Sequence, residues 1–241
     1  DALGRFKTIA SLSPVAVSTS GALAPNSVVQ SILATDDSTC VVASGKPYCW
    51  GAPVLGFHTS MSTSYGLPLA LKDKGELEGK QIQKIAISDY FQTYGSSGLA
   101  CALTTESQVF CWSYSQTLRG NPNNNLSTPR QIDSLNIGSR PISDVEVGET
   151  HACVNSLGQL YCWGINSNGQ LGIGNLRDQE RPTLVKSQGI LKDREIVTFM
   201  IASGVTYFVH RAVSATNSSD RQKYRSEEHT SELQSRFGIS Y

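Results

Sequence analysis

The stretch HACVNSLGQLYCWGINSNGQLGIGN, from His151 to Asn175, decides the fold. Two cysteines, Cys153 and Cys162, enclose a segment centred on Leu157-Gly158, and Trp163-Gly164 follows the second cysteine at once. Short apolar segments on both sides of a glycine turn are typical of a β-hairpin. Directly opposed residues of an antiparallel hairpin have a constant index sum, so a turn at Leu157-Gly158 sets the two cysteines opposite each other.

The same hairpin pattern occurs twice more. Cys40 to Gly51 reads CVVASGKPYCWG and Cys101 to Ser113 reads CALTTESQVFCWS. A short apolar segment precedes each copy (SVVQSILAT, IQKIAIS and ISDVEVG), and a fourth, Arg194 to Arg211, begins alike but lacks the cysteines. Clusters of Gly, Pro, Ser and Asn separate these Val- and Ile-rich strands. Such a recurrence predicts an all-β repeat protein, a β-propeller or a β-solenoid.

The cysteines allow four interpretations. Structural zinc sites use pairs two to four residues apart, whereas each pair here is nine or ten apart. A redox or nucleophilic site calls for Cys-x-x-Cys or a lone cysteine with a base, and neither is evident. Reduced thiols packed in the strands remain an alternative. Three pairings in register favour disulfides, which form in oxidising compartments. The expected bonds are Cys40–Cys49, Cys101–Cys111 and Cys153–Cys162.

The third copy resembles the RCC1 repeat, the blade of the regulator-of-chromosome-condensation propeller. The family pattern has a His before an apolar strand, a glycine turn, Trp-Gly, then Asn-x-x-Gly-Gln-Leu-Gly and a trailing Pro-x-x-Val. The matching residues are His151, Gly158, Trp163, Gly164, Asn166, Gly169, Gln170, Leu171, Gly172, Gly174, Pro182 and Val185. The first and second copies keep fewer positions: Trp50-Gly51 and Gly56, then Trp112, Gly120 and Thr128-Pro129.

The resemblance implies an incomplete all-β propeller of about three blades and part of a fourth, from a ring that has seven blades in the family. The repeats are expected at about residues 28–80, 81–141, 142–193 and, in part, 194–211, after a partial repeat or linker at 1–27 and before a polar linker at 212–224. The chain begins with Asp1 rather than Met, so we expect it to be a piece of a longer protein.

Residues 225–241, RSEEHTSELQSRFGISY, resemble the in-frame translation of a common sequencing-library adapter. All seventeen residues fit this translation: the first part matches the adapter, the next three residues match an index, and the last three match the adapter sequence after the index. A natural polar tail is the alternative. We interpret these residues as an artefactual tail, and therefore place no functional residue there, His229 included.

Composition argues against several classes of function. The chain has 20 Lys and Arg, 20 Asp and Glu and a net charge of +0, which disfavours nucleic acid or an anionic membrane as the partner. No apolar run approaches the roughly 20 residues that span a bilayer. The motifs Gly-x-Ser-x-Gly and His-Glu-x-x-His and a phosphate-binding loop are absent. We therefore expect no enzyme activity, no cofactor and no metal site.

The histidines and tryptophans have structural interpretations. His151 occupies the family's repeat position and is expected to bond to backbone between blades. His58 lies in a loop, and His210 ends the fourth-repeat strand. One tryptophan in each repeat is expected to pack between blades, the alternative being a stacking platform: Trp50, Trp112 and Trp163.

The cysteine-paired repeats resemble those of bacterial secreted RCC1-like proteins and of the ectodomains of plant crinkly-type receptor kinases. This implies a non-enzymatic, protein-binding module of a secreted or cell-surface protein, whose partner is an unidentified protein. The loops Gly51–Leu67 and Ser113–Thr128 are the expected binding face. Two sequons, at Asn125 and Asn217, are candidate glycosylation sites.

Two other functions follow from the resemblance. The founding family member is a guanine-nucleotide exchange factor for the small GTPase Ran and binds chromatin. A nuclear or cytoplasmic exchange factor is therefore the main alternative. Some RCC1-like propellers inhibit enzymes, so a secreted enzyme inhibitor is a further one. Both rest on family analogy.

Overall fold

A computed structural model describes most of the repeat region. The described residues are 13, 16–35, 37–52, 54, 57, 65–72, 74–88, 98–113, 128–186, 194–202 and 205–212. Several sequence predictions lie outside them: Gly56, His58, Gly120, Asn125, Asn217, the polar linker, the adapter-like tail and most of the two loops 51–67 and 113–128.

The described strands form three four-stranded antiparallel sheets and one two-stranded sheet. The first sheet contains β1 (Val29–Ala34), β2 (Ser38–Ala43), β3 (Lys46–Gly51) and β4 (Tyr65–Ala70). The second contains β5 (Ile82–Ile87), β6 (Leu99–Thr104), β7 (Val109–Ser113) and β8 (Arg130–Gln131). The third contains β9 (Asp144–Val147), β10 (His151–Ser156), β11 (Gln159–Gly164) and β12 (Gln179–Leu184), and the fourth contains β13 (Arg194–Ala202) and β14 (Val205–Ala212).

Within each sheet the strands are hydrogen-bonded in chain order, so each sheet is a meander of the kind that forms a propeller blade. The prediction of an all-β, partial propeller is confirmed. We number the blades 1 to 4 in chain order.

The three predicted disulfides are confirmed. In blades 1 to 3 the second and third strands pair so that the two cysteines are direct partners, with Cα atoms 4.1 Å apart. The turn of blade 3 is at Leu157-Gly158, whose φ angles are 50° and 78°. Two consecutive residues in the left-handed region match the twist of a two-residue hairpin, which explains why glycine stands there.

The glycine after the tryptophan has a separate reason. Gly164 has a φ of 116°, and a Cβ on it would lie 2.5 Å from the carbonyl oxygen of Thr150 and 2.7 Å from the Cα of His151. The register of β11 against β12 shifts at this point, between Cys162 and Gly164. The Trp-Gly pair therefore marks the place where the third strand bulges and the backbones approach closely.

Each hairpin places its disulfide on one face of the sheet and its tryptophan on the other, because successive side chains of a strand alternate. The Cys40–Cys49 bond and Trp112 of blade 2 lie in one apolar cluster. The Cys101–Cys111 bond and Trp163 of blade 3 lie in another. Both tryptophans are 0% exposed. The disulfide of one blade thus packs in the same layer as the tryptophan of the next.

The two ends of the blades differ. The short turns between second and third strands lie at one end, which we call the turn end. There Ile82 N–H donates to Gly45 O at 2.9 Å and Ile196 N–H to Gly158 O at 2.9 Å, each linking one blade to the next. We call the opposite end, from which the longer connections between third and fourth strands leave, the loop end.

Candidate binding surface at the loop end

One long loop-end connection, residues 165–178 of blade 3, lies wholly within the described chain. It is built from consecutive tight turns. Gly169 N–H donates to Asn166 O at 2.9 Å, and Gly172 N–H donates to Gly169 O at 2.9 Å. This loop contains the Asn-x-x-Gly-Gln-Leu-Gly segment of the RCC1-like repeat pattern.

The buried side chain of Asn166 organises the loop. Its Nδ2 donates to the carbonyl oxygens of Asn175 at 2.8 Å and Arg177 at 3.1 Å, and its Oδ1 accepts from Leu171 N–H at 2.9 Å. The backbone N–H of Asn166 donates to Asp178 Oδ1 at 2.7 Å. One amide therefore satisfies three backbone groups of a segment that has no ladder hydrogen bonds of its own.

The inner side of the loop is apolar and packs on the blade. Leu171 and Ile173 are 1% and 4% exposed, and they lie in one cluster with the Cys153–Cys162 bond and Phe208 of blade 4. Polar bonds within the loop and apolar contacts beneath it act together. The loop is consequently held in one conformation against the sheets.

The outer side of the loop presents a mixed surface. Leu176 is 66% exposed, and its neighbour Arg177 is exposed as well. Glu149, in the adjacent connection between β9 and β10, is also exposed. An exposed apolar side chain on an ordered loop of a rigid scaffold is a candidate contact for a protein partner. We call Leu176, Arg177 and Glu149 the loop-end patch.

His151 lies beneath this end, between blades 3 and 4. It is 0% exposed, and its Nε2 shares a 2.9 Å hydrogen bond with Thr206 Oγ1 of blade 4. The prediction of a backbone partner was wrong, because the fourth repeat supplies a hydroxyl at hydrogen-bond distance. Burial lowers the pKa of His151 to about 4, so the ring is neutral at physiological pH. His151 is thus a structural residue of the interface.

His210 has a different environment. It lies in β14, two positions before the end of that strand at Ala212. Partial burial, together with the positive charge of Arg194, lowers the pKa of His210. Its ring lies beside the ring of Phe208 in a tilted arrangement, with centroids 6.2 Å apart, so it packs within blade 4.

A charged cluster joins blades 2 and 3. Lys84 Nζ lies 2.7 Å from Asp144 Oδ1 and 2.5 Å from Glu146 Oε1. Burial opposes the charge of Lys84, but the two carboxylates outweigh it and raise the lysine pKa. Burial raises the pKa of Glu146, and Lys84 acts against that rise. The cluster therefore joins the first strands of neighbouring blades through ion pairs.

Within the described chain, no group of three or more His, Cys, Asp or Glu side chains is arranged to hold a metal ion. Among the same residues, no helix has the length and apolar character to cross a bilayer.

The sequence did not predict the side chains that bond to Asn166 and His151. These side chains are Asp178 and Thr206. Asp178 ends the loop that Asn166 begins, so a hydrogen bond that closes this loop could have been predicted. Lys84 and its two carboxylates were also missed. They are about 60 residues apart in sequence, and only the stacking of blades brings them together.

The chain is similar to known repeat proteins. Residues 158–208 and 142–170 each match a family model described as the regulator of chromosome condensation (RCC1) repeat. The human E3 ubiquitin-protein ligase HERC2 is 31% identical over 188 residues, which cover 76% of this chain and 4% of that protein. The mouse RCC1-like G exchanging factor-like protein is 29% identical over 204 residues, 80% of this chain and 40% of its own length. The chain therefore spans less than half of these curated relatives.

Solved structures show the same fold. Human WBSCR16 is 24% identical with a TM-score of 0.56, over 73% of this chain and 43% of that one. Prp20p from Saccharomyces cerevisiae is 16% identical with a TM-score of 0.60, over 84% and 47%. The repeated hairpins, the matched family models and the shared architecture lead to one conclusion: residues 142–208 are RCC1 repeats, and the described sheets form an RCC1-like partial propeller.

Proposed function

We propose that the chain is a non-enzymatic, protein-binding propeller module of a secreted or cell-surface protein. The observation that carries the proposal is the loop-end patch. Leu176 is exposed on a loop that Asn166 fixes from within and that Leu171 and Ile173 fasten to the blade. A rigid loop loses little conformational entropy on binding, so an exposed apolar residue on it can contribute to affinity.

The cysteines support the location. Three successive hairpins each contain one disulfide between their two strands, and the described residues contain no free cysteine. Such bonds persist in secreted and cell-surface proteins and are rare in the cytosol and nucleus. The mass of the native protein before and after reduction tests this point. A gain of about six mass units supports three bonds, and an unchanged mass contradicts the extracellular assignment.

A protein is the expected partner. The surface charge is balanced over the chain, and the loop-end patch combines an apolar residue with residues of both signs. Among similar structures, yeast RCC1 (Prp20) was solved bound to Kap60, and the Prp20p structure was described with its binding to Gsp1p and histones. Those partners belong to those proteins, but they support protein recognition as the use of this fold.

The binding test uses matched leucine variants of the full chain. The chain, with its disulfides formed, is screened against an array of secreted proteins and ectodomains, and the affinity of any binder is measured. Leu176→Ser is expected to weaken binding about tenfold, as for a central apolar contact. The control is Leu135→Ser, which changes a leucine that is 76% exposed at the turn end.

The outcome separates recognition by the loop end from other binding. Equal affinities of the parent chain and Leu176→Ser for a specific binder would contradict the proposal, as would the absence of any binder in the array. A binder that is an enzyme and loses activity in the complex would assign the module as a secreted inhibitor.

A guanine-nucleotide exchange factor for a small GTPase is the second candidate. It is favoured by the similarity to the mouse RCC1-like G exchanging factor-like protein. The test measures release of fluorescent GDP from a panel of small GTPases with catalytic amounts of the chain. Accelerated release would establish exchange and displace the first proposal. Release at the intrinsic rate of each GTPase would exclude exchange by this chain.

A further inference from the structure

The turn end carries three clefts at equivalent places. Each is lined by residues at the start of the third strand of one blade, residues at the end of its fourth strand, and the segment that leads into the next blade. Two buried apolar side chains contribute to the floor of each cleft. One lies near the start of the third strand and is Pro47, Val109 or Leu160, and the other lies near the start of the next repeat and is Ile82, Ile142 or Ile196.

A cation stands at the same position in each cleft, two residues before the isoleucine. These cations are Lys80, Arg140 and Arg194. Lys46 and Lys74 add two more charges to the cleft between blades 1 and 2. The carboxylates among the described lining residues are Glu78 and Glu106. The three clefts therefore carry five cations against two carboxylates, whereas the whole chain has a net charge of +0.

Both carboxylates are already paired. Lys74 Nζ lies 3.1 Å from Glu78 Oε1, and Lys80 Nζ lies 2.7 Å from Glu106 Oε2. Arg140 donates to the neutral groups Gln159 Oε1 and Tyr161 Oη. Lys46 and Arg194 are both exposed. The positive charge of Lys46, Arg140 and Arg194 is thus not neutralised by either carboxylate of the clefts.

We propose that the turn end binds an extended acidic peptide segment of a partner protein. Its carboxylates pair with Lys46, Arg140 and Arg194, and its apolar side chains enter the clefts. The repetition of one cation and one apolar floor in each blade suits a ligand that is itself extended and repeats acidic and apolar groups. A sulfated polysaccharide would meet the charge but would leave the apolar floors unoccupied.

The residues that line the clefts differ from those of the loop-end patch. The clefts adjoin the second-to-third-strand turns, whereas Leu176 lies in a connection that leaves the other end of the third strand. Binding at the turn end therefore adds a second partner chemistry. Failure of one surface in its own test leaves the other unaffected.

The experiment is done on the full chain and compares charge reversals inside the clefts with one outside them. The probe is a fluorescent synthetic peptide in which glutamate alternates with leucine, and its affinity is measured by anisotropy at low and high salt. Arg140→Glu and Arg194→Glu are each expected to weaken binding about three- to tenfold, as for the loss and reversal of one exposed pair. The matched control is Arg181→Glu, an exposed arginine of β12 that lies outside both the clefts and the loop-end patch and gives the same change in net charge.

Three further measurements decide the chemistry. A peptide with glutamine in place of glutamate should lose binding, and high salt should weaken the acidic peptide. Equal loss of affinity in Arg181→Glu would show a response to net charge alone and overturn the proposal. A sulfated oligosaccharide that binds as tightly as the peptide, or binds when the peptide does not, would overturn it as well. Mass spectrometry of the intact disulfides checks that each variant is folded alike.

Discussion

The interfaces between blades and the loop end of blade 3 are stabilised in different ways. Between blades, apolar layers combine a disulfide with the next blade's tryptophan, as in the layer that contains Cys101–Cys111 and Trp163. In the loop, one buried amide, Asn166, satisfies backbone groups that lie up to eleven residues away. Damage to an interface should therefore spread through two blades, whereas damage at Asn166 should remain local.

The largest effect is expected from Trp163→Ala. The side chain is 0% exposed in the layer between blades 2 and 3, so its removal leaves a cavity. The free energy of unfolding, measured with urea, should fall by about 3–5 kcal/mol. Trp163→Phe serves as the control and should cost less, because the ring fills part of the space. A loss below about 1 kcal/mol for Trp163→Ala would contradict the importance of this layer.

The next effect is a loss of stability in acid through His151. Its folded pKa is about 4 and the ordinary value is 6.5. Between these values the unfolded chain binds a proton that the folded chain does not, so stability falls as the pH falls from 6.5 to 4. At 1.36 kcal/mol per pKa unit the full loss is about 3 kcal/mol.

The measurement compares unfolding of the parent chain with that of His151→Gln at pH 7 and pH 4. The glutamine variant retains a group able to bond Thr206 and does not titrate, so it should lack this part of the pH dependence. An equal loss of stability with acid in both chains would assign the effect to other groups, such as the carboxylates.

Removal of one disulfide should have a smaller effect. The double change Cys153→Ala and Cys162→Ala opens a bond that closes a short loop, for which chain entropy gives about 2–3 kcal/mol. Thermal unfolding should begin at a lower temperature, and reduction should destabilise the parent chain more than the variant. Equal sensitivity of the two chains to reductant would contradict a stabilising role for this bond.

The smallest effect of the series, and the most local, is expected from Asn166→Ala. It leaves the carbonyl oxygens of Asn175 and Arg177 without their side-chain donor, which should cost about 1–2 kcal/mol. Hydrogen exchange should become faster in residues 165–178 and remain unchanged in β6 and β7. Asn166→Asp retains an acceptor for Leu171 but loses the two donated bonds, so it should lie between the parent and Asn166→Ala. Faster exchange in blade 2 would contradict a local role.

The repeats were predictable from sequence because their determinants are local. The index sum of two cysteines about a turn fixes a hairpin register, and period-two alternation then assigns opposite faces to Cys162 and Trp163. The contacts between blades were less accessible. Lys84 meets Asp144 and Glu146, and His151 meets Thr206, only after separate sheets have stacked. No short-range pattern specifies those pairs.

The separation of disulfide and tryptophan onto opposite faces gives blades 1 to 3 a front and a back. Blades with such a polarity associate head to tail, which is a heterologous rather than an isologous contact. The disulfide faces of blades 1 and 2 each pack on the tryptophan face of the next blade. A duplicated copy of either blade would therefore find a complementary surface on both sides. Growth by duplication of whole repeats is therefore compatible with the packing from the first added copy.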